Sequence, residues 1–208
     1  MLILEPSLPK KLSPMNEVRR EKLDRVLRKR QFDITVVMEN VHDPHNISAV
    51  MRTCDAVGIQ EIYVLNTSIR PHKRFGAKSS SSAAKWLTVH HFTDLDKCVQ
   101  TLKEKYQKIF TTHLSEKSVD LYSMNLTESI ALVFGNEHEG VSTDFRERAD
   151  GNFIIPQVGI IQSLNISVAC AVTIYEAYRQ KQLANHYETA RSVEVPAYKT
   201  TAAEWGLQ

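Results

Sequence analysis

Three short segments hold the side chains whose types and spacing could do chemistry. Asn46-Ile-Ser-Ala-Val-Met-Arg52 pairs a carboxamide with a guanidinium. Phe134-Gly-Asn-Glu-His-Glu-Gly140-Val-Ser142 sets carboxylates between glycines, and Ile155-Pro-Gln-Val-Gly159 runs into Ser163-Leu-Asn165. Each follows an apolar, strand-like run, the place where open α/β sheets hold ligands. Three such junctions rich in polar groups point to one composite site. Arg52 is the sharpest residue among them, because its helix is otherwise mostly small or apolar and an arginine there must be paired or aimed into a cleft. A salt bridge to Asp55 or Glu39 accounts for it as well as a functional role does. Asn165, at a helix start, is open to capping and to function alike.

Several chemistries are excluded by spacing. Gly135-x-x-x-x-Gly140-x-Ser142 has the glycines of a phosphate-binding loop, but Val141 stands where that loop needs its lysine. No G-x-G-x-x-G and no G-x-S-x-G occur, which disfavours a dinucleotide site and an α/β-hydrolase nucleophile. His42 and His45 flank Asp43-Pro44 in a turn, where turn capping or substrate contact is a better reading than a metal pair. Cys54, Cys98 and Cys170 are widely spaced, odd in number and free of C-x-x-C, so they read as small core residues in a reducing cytoplasm rather than as a zinc or disulfide framework.

The elements that must position these groups alternate. Residues 16–30 form an amphipathic helix, with Val18, Leu23, Val26 and Leu27 between basic side chains. Ile34–Met38 is a strand, Asn46 an N-cap, Ile47–Val57 a helix stopped by Gly58, and Glu61–Leu65 the next strand. Strand, helix and strand joined by short connections argue for a parallel sheet. Strands at 87–92, 108–112 and 153–155, helices at 94–106 and 143–149, and a central strand at Ile130–Phe134 follow. Ile166–Lys181 is a helix apolar almost all round at its start and therefore buried. Residues 66–84, with Ser79–Ser82, form a long loop, and Tyr187, Tyr198 and Trp205 are anchors for the tail.

At 208 residues, 42% apolar and 24% charged, the chain has the size and composition of a soluble α/β domain with extensions. It has no apolar run of the roughly 18 residues that a membrane helix needs, and Met1–Lys11 has no stretch fit for a signal peptide. Net charge is only +2, yet Lys10–Arg30 carries nine basic residues against three acids, and Arg70–Lys85 carries five and no acid. Local basic surfaces on a near-neutral chain fit a phosphate-backbone partner, or a solvated helix face and a loop.

Together, Asn46…Arg52, Phe134-Gly-Asn-Glu-x-x-Gly140 and Ile155-Pro…Ser163-Leu-Asn-Ile-Ser-Val168 resemble the three motifs of the SpoU (TrmH) family of SPOUT RNA methyltransferases, over residues 33–180. Arg19–Val37 and Glu39–Asn46 resemble more narrowly the family's tRNA guanosine-2′-O-methyltransferases. The resemblance implies a parallel-sheet α/β domain at 33–182 ending in a deep trefoil knot, with helical extensions at 1–32 and 183–208. It implies a homodimer with S-adenosylmethionine held by Thr112, Gly135, Asn136, Glu137, Gly140, Ile155, Ser163 and Leu164. The implied reaction is methyl transfer to a ribose 2′-hydroxyl of tRNA, at a D-loop guanosine. Another tRNA site, rRNA, or an RNA-binding protein of the same fold without catalysis are the alternatives. Arg52 falls on the catalytic position, Asn46, Glu137, Ser163 and Asn165 on orienting positions, and His45 on a nucleotide contact. Arg19, Arg20, Lys73 and Arg74 would bind the RNA backbone, with no metal required. Arg52 acts either as general base or by holding a phosphate and the forming alkoxide. Bringing a guanidinium pKa from about 13 to about 7 costs roughly 8 kcal/mol, which favours the second role.

Overall fold

The computed structural model describes residues 15–72, 83–161, 163–188 and 195–207. In chain order the first elements are α1 (Glu17–Leu27), β1 (Ile34–Glu39), α2 (Pro44–Val57), β2 (Glu61–Leu65) and β3 (Thr88–Phe92). Then come α3 (Leu95–Lys105), β4 (Lys108–Thr112), β5 (Val119–Asp120), β6 (Ile130–Phe134) and α4 (Thr143–Arg148). The chain closes with β7 (Gly151–Ile154), α5 (Ile166–Leu183) and α6 (Pro196–Glu204).

The seven strands form one sheet in the order β3-β2-β1-β6-β4-β7-β5, and every described pairing is parallel. The order of strand addition reverses at the middle: β2 and β3 extend from one side of β1, whereas β6, β4, β7 and β5 lie on the other. The loops after β1 and β6 therefore diverge from adjacent strand ends, which opens a crevice there. Register sets Met38 beside Phe134.

Alternation along the strands builds two cores. Val36, Met38, Ile62, Val64, Leu132 and Phe134 face α2 and α5, through Ile47, Val50, Met51, Cys54, Cys170 and Ile174. Val37, Tyr63, Leu65, Ala131 and Val133 face α3 and α4, through Cys98, Val99, Leu102 and Phe145. All three cysteines are free and buried, as core residues should be. β6 is buried along its whole length, as an uninterrupted apolar run requires.

Three expectations need correction. Asp43, not Asn46, caps α2: its side chain accepts from the His45 N–H, and Pro44 starts the helix with its fixed φ. The strand expected at 153–155 is Gly151–Ile154, because its ladder to β4 begins at Gly151. α5 buries one face only, leaving Val168 and Tyr175 exposed on the other. In the tail, α6 brings Trp205 against Leu23, Leu27 and Phe32, so α1 and α6 share a small satellite core. Tyr187 is anchored through its hydroxyl on the Val57 carbonyl at 2.7 Å. Most of the basic loop, with Lys73, Arg74 and Ser79–Ser82, lies outside the described residues.

Candidate active site

Moving the cap to Asp43 frees the Asn46 side chain, and the structure uses it as a bridge. Its Nδ2 donates to Glu137 Oε1 at 2.6 Å, across 91 residues of sequence. Its Oδ1 accepts from Asn165 Nδ2 at 3.2 Å, across 119 residues. Asn165 is also the N-cap of α5, its Oδ1 accepting from the Ser167 N–H at 2.9 Å and hydroxyl at 2.6 Å. Capping and bridging thus coexist in one carboxamide, with the oxygen facing the helix and the nitrogen facing Asn46. The donors run in one direction, Ser167 to Asn165 to Asn46 to Glu137, and end on a carboxylate. Two helix N-termini, those of α2 and α5, converge on that carboxylate, a favourable field for negative charge.

Glu137 sits in a turn that only glycine permits. A Cβ on Gly135 would lie 1.9 Å from the Gly140 carbonyl carbon and 2.1 Å from the Val141 nitrogen. Gly140 has φ +70°, the left-handed region. Asn136 Oδ1 accepts from the N–H groups of His138 and Glu139, both at 2.8 Å, so this side chain's oxygen is committed to shaping the turn.

Beneath the turn lies a cavity of about 380 Å³. Its lining includes all eight of the positions expected to hold a cofactor: Thr112, Gly135, Asn136, Glu137, Gly140, Ile155, Ser163 and Leu164. Phe134, Phe153 and Ile166 give it an apolar floor, while Glu137 and Glu139 stand at its edge. No lysine or arginine lines it among the described residues.

A sequence match accompanies this geometry: residues 33–175 fit the family described as the SpoU rRNA Methylase family. The chain belongs to the SpoU methylase family. It is 40% identical over 190 residues to the tRNA (guanosine(18)-2′-O)-methyltransferase of Thermus thermophilus, covering 91% of this chain and 96% of that protein. It is 38% identical over 173 residues to the enzyme of the same name from Escherichia coli, covering 83% and 75%. Among solved structures, the Aquifex aeolicus TrmH/SpoU tRNA modifying enzyme superposes with a TM-score of 0.79 at 33% identity, over 92% of this chain and 98% of that one.

Within this SpoU fold the remaining expected residues are spread more widely. Arg52 is exposed on α2, about 9 Å along the helix axis from Asn46 at about 1.5 Å per residue. Neither acid considered as its ion-pair partner holds it: Asp55 pairs with Arg30, and Glu39 accepts from Ser142. Among the described residues Arg52 makes no ion pair. His45, seven residues earlier, shares its exposed stripe. Arg19 and Arg20 are exposed on α1.

The sequence reading missed His113, which follows Thr112 and lines the cavity. It contacts the Arg146 guanidinium, and burial followed by that charge hold its pKa below 6.5, so the imidazole is neutral at pH 7. Position directly after β4 was the available signal. His138, also in the lining, has its ring 5.9 Å from that of His42.

Proposed function

We propose that the protein methylates the ribose 2′-hydroxyl of guanosine 18 in tRNA, using S-adenosylmethionine. The Asn165–Asn46–Glu137 chain at the mouth of the cavity carries this reading, because it joins all three sequence motifs in one place. The cavity fits the donor's chemistry: apolar walls suit an adenine ring, and a cationic sulfonium is favoured by carboxylates at the edge and the absence of lysine and arginine from the described lining. Names of relatives at 38–40% identity supply tRNA and guanosine 18.

Bound S-adenosylmethionine supplies an activated methyl carbon, so the protein's own task is alignment and one proton. Thr112, the Gly135–Gly140 turn, Ile155, Ser163 and Leu164 hold the donor in the cavity. Glu137, held at one oxygen by Asn46, fixes the position of the acceptor ribose, and Asn165 keeps Asn46 from rotating. Arg52 reaches over this edge to bind the neighbouring phosphate and stabilise the developing alkoxide, with phosphate or water taking the 2′-hydroxyl proton. His45 contacts the nucleotide. Arg19 and Arg20 with Lys73 and Arg74 track the RNA backbone, and no metal takes part.

Three further features belong to this reading. The protein acts as a homodimer in the cytoplasm: Val168 and Tyr175, one helical stripe of α5, are exposed, as are Val158, Ile160 and Ile161, and exposed apolar side chains suit a second copy. Among the described residues no helix is long and apolar enough to cross a membrane. The methyltransferase domain spans 33–182 between helical extensions at 1–32 and 183–208. We further propose that it closes in a deep trefoil knot, a reading supported by the family match and by the packing of α5 on α2 while β7 lies beyond β4.

The test is transfer of radiolabelled methyl from S-adenosylmethionine to unmodified tRNA, followed by nucleoside analysis. Recovery of 2′-O-methylguanosine from the D-loop is the expected result. The family's rRNA description favours a second reading, and label appearing in rRNA but not tRNA would select it.

A further inference from the structure

Glu39, the last residue of β1, is 1% exposed, and both of its oxygens accept from one residue. Oε2 takes the Ser142 N–H at 2.8 Å and Oε1 takes the Ser142 hydroxyl at 2.6 Å, across 103 residues. No ion pair reaches it among the described residues. A buried carboxylate without a bonded cation loses hydration that such hydrogen bonds only partly offset. The structure keeps this cost at one place, where β1 and β6 part.

Register explains what is gained. Met38 lies beside Phe134, so Glu39 stands beside Gly135, and Ser142 is where the chain leaves the turn. The chain between them is folded on itself so tightly that a Cβ added to Gly135 would lie 1.9 Å from the Gly140 carbonyl carbon. Just beyond Glu39, Asn40 adopts φ +50° and turns the chain towards α2, whose Asn46 grips Glu137 in the middle of the same turn. Glu39 at the end of β1 therefore holds this turn at its exit, and Asn46 of α2 holds it at its centre.

We infer that Glu39 is a positioning residue for methyl-donor binding, its carboxylate fixing the exit of the Gly135–Gly140 turn so that the turn's peptide edge faces the cavity, while Glu137 is held separately by Asn46. The inference rests on the donor reading given above. Glu39 itself does not line the cavity, so it acts through Ser142 and not by touching the donor.

The test measures S-adenosylmethionine binding by calorimetry for the wild type, Glu39→Ala, Glu39→Gln and Ser142→Ala, alongside thermal melts and methyl transfer. Glu39→Ala should raise the donor Kd about 10- to 100-fold, the size of lost hydrogen bonds to a charged group. Its kcat at saturating donor should be nearly unchanged. Ser142→Ala should raise the Kd less, and the double variant should be no worse than Glu39→Ala, because both act on one link. Glu39→Gln, with one acceptor oxygen in place of two, should fall between wild type and Glu39→Ala. Folded variants with lowered Tm but wild-type donor Kd would overturn the inference. Should Glu39→Ala not fold, unchanged Kd in both Glu39→Gln and Ser142→Ala would overturn it equally. A wild-type protein that binds no donor would instead overturn the functional reading, and this inference with it.

Discussion

The two ends of the sheet handle buried charge in opposite ways. At the N-terminal ends of the strands, Arg30 and Lys181 are each 1% exposed, and each is bonded to a carboxylate, Asp55 and Asp33. Arg30 also stacks over the Trp205 ring, 5.2 Å from its centroid, which ties the tail to the body. At the C-terminal ends the buried charge is Glu39, matched by a serine and no bonded cation, and the carboxamides of Asn46 and Asn165 point across open loops. Opposite charges at one end make a joint. Charges met by neutral donors at the other end leave electrostatic capacity for a ligand.

Substitutions can break this contrast. The largest effect is expected for Arg52→Ala, which should lower methyl transfer by about 10²- to 10³-fold, the cost of losing one transition-state donor. Donor affinity should stay near wild type in calorimetry, and an equal loss of both would move Arg52 into the donor pocket. Asn46→Ala removes the bridge between Glu137 and Asn165. It should cut kcat/KM by up to about 10², as small misplacements near reacting atoms do, while leaving the thermal midpoint almost unmoved.

At the opposite end the effect falls on stability instead of activity. Asp33→Asn removes the carboxylate bonded to the buried Lys181 ammonium, so stability in urea should fall by about 2 kcal/mol. Donor Kd should not change, and a weakened Kd would show that the two ends are coupled.

The smallest effect is a pH dependence at Glu39. Burial pushes its carboxyl above 4.5, opposed by the Ser142 hydrogen bonds, with Asp144 adding to the rise, Arg146 countering it, and the Cys98 thiol facing it from α3. A raised folded pKa means the native state keeps a proton that the unfolded chain has released. The group's contribution is therefore full below 4.5 and is lost as pH rises through the higher folded value. Glu39→Gln has no such titration. The stability of Glu39→Gln relative to wild type should thus increase with pH across that window, in matched denaturant melts. A difference that stays flat would mean that burial does not shift this carboxyl.

Much of this protein was legible in one dimension. Apolar runs such as Ile130–Phe134 and Glu61–Leu65 announce strands, Gly58 ends a helix, and the polar segments at strand ends mark the site, because periodicity and turn chemistry are local properties. The two-residue β5 has too little pattern to be seen, and α6 lacks a side-chain cap. Asn46 shows the limit of local reasoning. It is a good cap residue by type, but Asp43 before Pro44 takes that role, and only packing of α2 against α5 could reveal what Asn46 does instead. Glu39 was likewise an expected partner of Arg52 until the adjacency of β1 and β6 gave it Ser142. Sequence by itself determined the elements, the apolar faces and the identity of the reactive groups. Tertiary structure decided which of those groups meet, since hydrogen bonds spanning 91, 103 and 119 residues depend on strand order and register, which no local spacing encodes.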